Sequence, residues 1–452
     1  MTTISEPSRE LPVIDAYDLI VIGGSCTGAF AAIRAARRGL KVALIENFGF
    51  FGGTSTARLV NVWHSTWDFN AETQIIGGLS LELLETLKSR GQAIQHEVNN
   101  RNAEWIFNSA EMALELDRMI GEHSITPYLH TKVVSGISSD SRVKYVVIED
   151  KSGRRAIQCK YAIDASGDAD LLHRLGHELH IHDHIQPATT AAIVDGLASS
   201  SHKNMGEVLF GDGAPDELKK NFFWAAPVPG CSSLKSIFGT RVHNLNASNA
   251  EDLTQGEIEG RKQLRLIVDR LREKLSPKIG LAALPAGIGI RDTRHIRSRY
   301  QLTETDVLEG VEFDDAIAHG TYRVDIHAQN SSGITFKYLD GTQEIHLDGE
   351  VTHGRWRDER AQDPKFYSIP FRSLQPKGWD NILVAGRCLD ADEGAFGAVR
   401  VMITCNQMGE AAGEAVALAH QTEQNSFQDL NVHALKQQMN DGGSLLQGLS
   451  DQ

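Results

Sequence analysis

Asp18-Leu-Ile-Val-Ile-Gly-Gly-Ser-Cys-Thr-Gly28 is the stretch that decides the fold of this chain. Its apolar run ends in glycines, the pattern of a short buried strand. Thr27 to Arg38 then reads as a helix. Ala29, Ala31, Ala32, Ala35 and Ala36 give it a small face that can lie close on a sheet, while Arg34, Arg37 and Arg38 point to water. Gly39 is a plausible stop. Lys41-Val-Ala-Leu-Ile45 is a second strand, closed by Glu46. Strand, helix and strand fit within about 30 residues, the size of a parallel βαβ unit.

The loop Gly23-Gly24-Ser25-Cys26-Thr27-Gly28 is what a bound diphosphate requires. Diphosphate oxygens must reach backbone N–H groups at the positive end of a helix, and a side chain at the closest point blocks them. Gly23 suits the tight turn, and Gly28 suits close helix–strand packing. Ser25 and Thr27 are small, and Ser25 stands where the G-x-G-x-x-G pattern has its middle glycine. Glu46, at the end of the next strand, is placed to accept hydrogen bonds from a ribose, and its charge disfavours a 2′-phosphate. These features predict a bound dinucleotide. They do not separate NAD from FAD.

Working outward, Gly77–Arg90 and Ala103–Glu122 read as helices. Strand signals return at Val133–Ile137, Val143–Ile148 and Tyr161–Asp164. Val143–Ile148 and Ala156–Tyr161 form a hairpin across Lys151-Ser-Gly153. From about His180 to Phe366 the βαβ texture gives way to polar loops and mixed strands around one helix. That helix opens on a Thr254/Glu257 capping box and carries Ile258, Leu264, Ile267, Val268 and Leu271 as its apolar stripe. The α/β texture resumes at Tyr367, with a buried strand at Asn381–Gly386 and a close-packed helix at Gly409–His420. The expected organisation is a flexible N-terminus (1–16), a discontinuous Rossmann-like domain (17–180 and 367–420), an inserted α+β substrate or cap domain (181–366) and a peripheral C-terminal segment (421–452).

Composition bounds the function. The 452 residues are 41 % hydrophobic and 23 % charged, ordinary globular usage, with a net charge of −14. An acidic surface repels phosphate backbones, so no nucleic-acid partner is expected. Five scattered cysteines without C-x-x-C argue against a disulfide framework and against cysteine-held clusters. No apolar run reaches signal-peptide or membrane-span character, so a cytoplasmic protein with no membrane partner is expected. A homodimer is the default assembly. His180, His182 and His184 would share one strand face, but no other strong ligand set supports a metal, and none is expected.

Four ordered blocks carry a resemblance. Glu46-Asn-Phe-Gly-Phe-Phe-Gly-Gly-Thr-Ser-Thr-Ala57 is the first. Tyr161-Ala-Ile-Asp-Ala-Ser-Gly-Asp-Ala-Asp170 is the second. Gly289-Ile-Arg-Asp-Thr-Arg294, with Leu302-Thr-Glu-Thr-Asp306 and Asp325-Ile-His327, is the third. Asn381-Ile-Leu-Val-Ala-Gly-Arg387 through Arg400-Val-Met402 to Gly413 is the fourth. Together they resemble the FAD-dependent oxidoreductases, distant relatives of the fumarate reductase and succinate dehydrogenase flavoproteins. The resemblance implies a glutathione-reductase-type FAD-binding domain with an inserted substrate domain. It implies FAD contacts from Gly23, Gly24, Ser25, Thr27, Gly28, Glu46, Asn47, Gly53, Thr54, Val134, Ala165, Ser166, Gly167, Gly386, Arg387 and Gly409. The helix near Gly409 would aim its N-terminus at the flavin N1/O2 edge.

The chemistry the resemblance implies is hydride transfer between flavin N5 and a small polar organic substrate. His327, oriented by Asp325 on one strand face, is the first candidate acid/base. Arg294 and Arg400 are candidate substrate contacts, and Arg clamps suit an anionic substrate. Glu393, standing where the family often carries histidine, is a second acid/base candidate. Cys26 is the cysteine to inspect for a flavin tether, though it sits at the phosphate end of the loop. Two other readings stay open: a non-redox lyase, isomerase or biosynthetic enzyme using bound NAD or FAD, and a non-catalytic flavin module.

Overall fold

The computed structural model describes residues 2–98, 103–197, 205–211, 213–218, 221–328, 331–347 and 350–446. Its centre is a sheet of seven strands. β1 (Val13–Ile22) begins inside the stretch expected to be flexible and runs parallel to β2 (Val42–Ile45) on one side and to Gly153–Asp164 on the other. Ile125–Tyr128 extends the sheet beyond β2, and Ile382–Val384 joins Gly153–Asp164, both in parallel register. The antiparallel pair Arg142–Asp150 and Lys132–Ser139 completes it. This is a mixed α/β, Rossmann-like arrangement with its parallel core fed by crossovers.

Helix α1 (Cys26–Arg37) connects β1 to β2. Its alanines at 29, 31, 32 and 35 are fully buried, so it packs close on the sheet. Its other side meets the long helix Met402–Gln421. Gly409 and Gly413 sit where a Cβ would lie 2.0 Å from the Thr27 carbonyl oxygen and 2.3 Å from that of Ala31. The two backbones are in direct contact at these points. Arg34, nearly fully buried on the same interface, is paired with Glu410 and lies 3.9 Å from Glu414.

Several local expectations are corrected. Trp105–Phe107 is a strand, and the helix starts at Ser109, capped by Asn108. The long helix of the inserted region runs Ala250–Lys274 and is capped by Asn249. Thr254 lies inside it, bonded back to Ala250, and Glu257 accepts the Ile288 amide instead. Ile258 is exposed, while Leu264, Ile267, Val268 and Leu271 form the buried stripe against the strands Ala191–Asp195 and Cys231–Phe238. A true capping box occurs at Thr303 and Asp306. The C-terminal helix of the Rossmann portion begins at Met402, seven residues before Gly409. After Gln421, helix Val432–Asp441 buries Leu435 and Met439 in the main core. Among the described residues no helix is long and apolar enough to cross a membrane.

Candidate active site

A cavity of about 1210 Å³ runs from the glycine loop to the strand Val324–His327. It exceeds the usual range for a drug-sized ligand and has room for a dinucleotide with a substrate beside it.

At one end lies the cradle. Gly23 is left-handed (φ +94°) and donates its amide to Ile45 O at 2.8 Å. Ser25 occupies the N-cap position of α1 without a side-chain capping bond. Helix geometry leaves the first-turn amides without carbonyl partners, facing the cavity that Gly23, Ser25 and Thr27 line. Glu46 accepts the amides of Gly24 (2.7 Å) and Phe48 (2.8 Å). A carboxylate has about four lone-pair sites, so acceptor capacity remains for ribose hydroxyls. Asn47, Gly53, Thr54, Ala165, Ser166, Gly167, Gly386 and Arg387 line the same space. Asp164, deep beneath, accepts the Ser166 hydroxyl and the amides of Leu171 and Leu172. It therefore shapes the turn after the strand and caps the short helix Asp170–Arg174.

Two cations attend this end. Arg387 pairs with Asp168 at 2.9 Å and donates to Thr293 Oγ1 at 2.6 Å. Arg58 donates to Ile288 O and lies over the Phe48 ring. Burial first, then the charge of Arg387, lowers the Arg58 pKa. Two buried guanidinium groups against Asp168, beside a helix N-terminus, make a site fit for an anionic diphosphate.

The other end is built by Arg323, Asp325 and His327, spaced two apart across the strand, joined by Tyr322, Arg291, Arg241 and Arg400. Asp325 accepts the Tyr322 hydroxyl at 2.9 Å and Arg400 at 3.1 Å, and lies 3.2 Å from His327 Nε2. Burial pushes the His327 pKa down to about 3, aided by the charges of Arg291 and Arg241. The ring is neutral; its Nε2 faces Asp325 Oδ1, the group placed to set the tautomer, and its Nδ1 is buried with no hydrogen-bond partner. Asp325 sits well below the usual carboxylate range; burial opposes ionisation, but His327, Arg400 and Arg323 outweigh it. Between the two ends, the N-terminus of helix Met402–Gln421 opens on the cavity through Val401 and Met402.

Four expected cofactor contacts are corrected. Gly24 packs behind the loop, where a Cβ would meet the Phe51 ring, and Gly28 is pressed on Gly23 O. Val134 sits in a β-bulge that turns it away, so Val133 lines the cavity instead. Gly409 is a helix-packing residue. Among the chemical candidates, Glu393 lies outside the cavity and pairs with exposed His184. Arg294 pairs with Asp170 at the cradle end, and its neighbour Arg291, bonded to Pro187 O and Thr189 Oγ1, feels the charge of Asp325. Cys26 lines the cavity, but burial pushes its thiol up to about 12. His180 and His182 stay on one face, ring centroids 5.7 Å apart and both against His295, while His184 turns to Glu393. His182 and His295 both bond Asp292, and their outer nitrogens meet Ala391 O and Leu389 O. That buried triad holds the segment carrying Arg291 and Arg294 in place. Arg58, His64, Tyr322, Arg323 and Arg241 went unseen in the sequence; the i, i+2, i+4 spacing of Arg323 with Asp325 and His327 was the available signal.

A strand, glycine loop and helix feeding a long cavity whose far end holds a carboxylate–imidazole pair define a dinucleotide-dependent enzyme. The chain belongs to the FAD dependent oxidoreductase family, whose model matches residues 18–439. It is an oxidoreductase, and its cofactor is FAD. Aerobic glycerol-3-phosphate dehydrogenase of Staphylococcus aureus is 37 % identical over 93 residues, 21 % of this chain. The match spans only 16 % of that relative's length. Among solved structures, a geranylgeranyl bacteriochlorophyll reductase-like protein from Thermoplasma acidophilum is similar at a TM-score of 0.46 and 11 % identity, covering 95 % of this chain and 84 % of that one. A p-nitrophenol 4-monooxygenase from Pseudomonas putida is similar at 0.43 and 11 %, covering 96 % and 91 %.

Proposed function

We propose that this enzyme oxidises or reduces a small polar organic substrate, residues 17–180 with 367–420 holding FAD and residues 181–366 supplying most of the substrate site. Bound FAD supplies a hydride acceptor or donor. Gly23, Ser25, Thr27, Arg58 and Arg387 hold the diphosphate, and Glu46 holds the ribose. Arg291 and Arg400 orient the substrate, and bidentate guanidinium contacts fix an anionic group. His327 moves the proton at Nδ1, with Asp325 keeping the ring in the tautomer that leaves that atom free to accept. An anion seated on Arg291 would offset part of the charge that holds the imidazole low, which brings His327 closer to working range.

The observation that carries this reading is the buried, unpartnered Nδ1 of His327, a residue that lines the cavity shared with the glycine loop. The test is anaerobic stopped-flow mixing of the yellow holoenzyme with hydroxy acids, sugars and amines. Bleaching of the flavin by one class, lost in His327→Gln with flavin retained, is expected. Equal bleaching rates in the wild type and His327→Gln would remove the imidazole from the mechanism.

A further inference from the structure

We propose that the Asp325 end of the cavity takes an aromatic carboxylate, its acid group on Arg291 and Arg400 and its ring against an aromatic wall. The inference rests on the reading of that end as the substrate site.

The charge is lopsided. Arg241, Arg291, Arg323 and Arg400 gather around Asp325. Burial, then the charges of Arg400 and Arg241, pushes Arg291 down to about 9; burial pushes Arg241 to about 10. Glu104 and Glu344 line the same cavity, so among the described residues three carboxylates face these four guanidinium groups, and Arg291 hydrogen-bonds the neutral oxygens Pro187 O and Thr189 Oγ1. Cationic charge buried in excess is costly, and an anionic ligand is the group that would balance it.

The walls say what the anion is attached to. Trp224 stacks on Phe238, centroids 3.8 Å apart at 18°. Phe222 lies under Arg241, and Phe336 under Arg323 at 4.1 Å. Tyr322 faces His64 at 4.1 Å. All of these line the cavity. Phe222 and Trp224 keep 38 % and 37 % of their surface exposed, an unusual amount for large rings at a cavity wall. A short aliphatic acid would leave these ring faces wet, whereas a flat ring would cover them.

The experiment titrates the oxidised holoenzyme with benzoate, acetate and benzamide, read by flavin absorption and, independently, by calorimetry. Benzoate is expected to bind at least about tenfold more tightly than either acetate or benzamide. Trp224→Ala closes the gap between benzoate and acetate without changing acetate, and Trp224→Phe restores it. Arg291→Gln closes the gap between benzoate and benzamide. Acetate or benzamide binding as tightly as benzoate, or no benzoate binding at all, overturns the proposal. Calorimetric binding that both variants weaken supports the site even where no donor bleaches the flavin, and that second result counts against the redox reading alone.

Discussion

Gly409→Ala separates two roles that a glycine beside a cofactor domain can have. An ideal Cβ at this position lies 2.0 Å from Thr27 O. An ordinary C···O contact is about 3.3 Å or more, so the helix Met402–Gln421 must draw back from α1 by roughly 1.3 Å. Such overpacking costs about 1–3 kcal/mol, and a displacement this large belongs at the upper end. The higher helix propensity of alanine returns about 1 kcal/mol. The net expectation is a loss of about 1–2 kcal/mol. Gly413→Ala, whose Cβ would lie 2.3 Å from Ala31 O, should behave alike. The assay is urea unfolding followed by tryptophan fluorescence, on the holoenzyme and on the deflavinated protein. Because both helices belong to the protein alone, the apoprotein midpoint must fall. If only the holoenzyme weakens, while the apoprotein unfolds like the wild type, Gly409 touches the flavin and the packing argument is wrong.

Glu46→Gln keeps the shape but turns an amide NH₂ toward either the Gly24 or the Phe48 N–H. That unsatisfied donor lowers stability with or without cofactor, while the ribose loses a hydrogen bond to a charged acceptor worth about 1.5–3 kcal/mol, so FAD affinity measured by fluorescence quenching should fall roughly tenfold to hundredfold. Asp325→Asn removes the charge beside His327 and turns an NH₂ toward either that ring or Arg400; flavin reduction in stopped flow should slow by about 10²–10⁴-fold with FAD content unchanged. Loss of FAD in that variant would mean that the two ends of the cavity are not separable. Burial holds His64, His319 and His327 at about 3, 4 and 3. Each is depressed, so the unfolded chain takes up protons from about pH 6.5 downward while the folded protein does not. Stability therefore falls on acidification between about pH 6.5 and 4, by up to about 1.4 kcal/mol per pH unit for each ring. Urea midpoints at pH 7 and pH 5 test this. His319→Gln, away from the cavity, should flatten the slope by about one proton's worth.

What was legible in the sequence was whatever local pattern dictates. Leu19 to Ile22 must be a buried strand, Gly23 must turn with positive φ, and Glu46 must end the next strand; each follows from period, backbone sterics and chain direction within some 30 residues. The Asp164–Asp170 block was legible as a flavin-family signature, yet the job of Asp164 was not. Its carboxylate serves buried amides of its own chain, which no spacing rule announces. Val134 was misplaced because a bulge between Val133 and Ser135 breaks the two-residue alternation. Glu393 was misplaced because a helix-terminal side chain selects its face by tertiary contacts, here with His184. The substrate end shows the limit most clearly. His64, Arg241, Arg291 and Arg400 lie far apart in the chain and line one end of the cavity only once the inserted region folds back over the sheet. The His182–Asp292–His295 triad explains how that placement is enforced. It ties the segment bearing Arg291 to the carbonyls of Leu389 and Ala391, just past Gly386 and Arg387, which follow the strand Ile382–Val384. The cofactor cradle and the arginine basin are thereby held in one register by His182, Asp292 and His295, which do not themselves line the cavity.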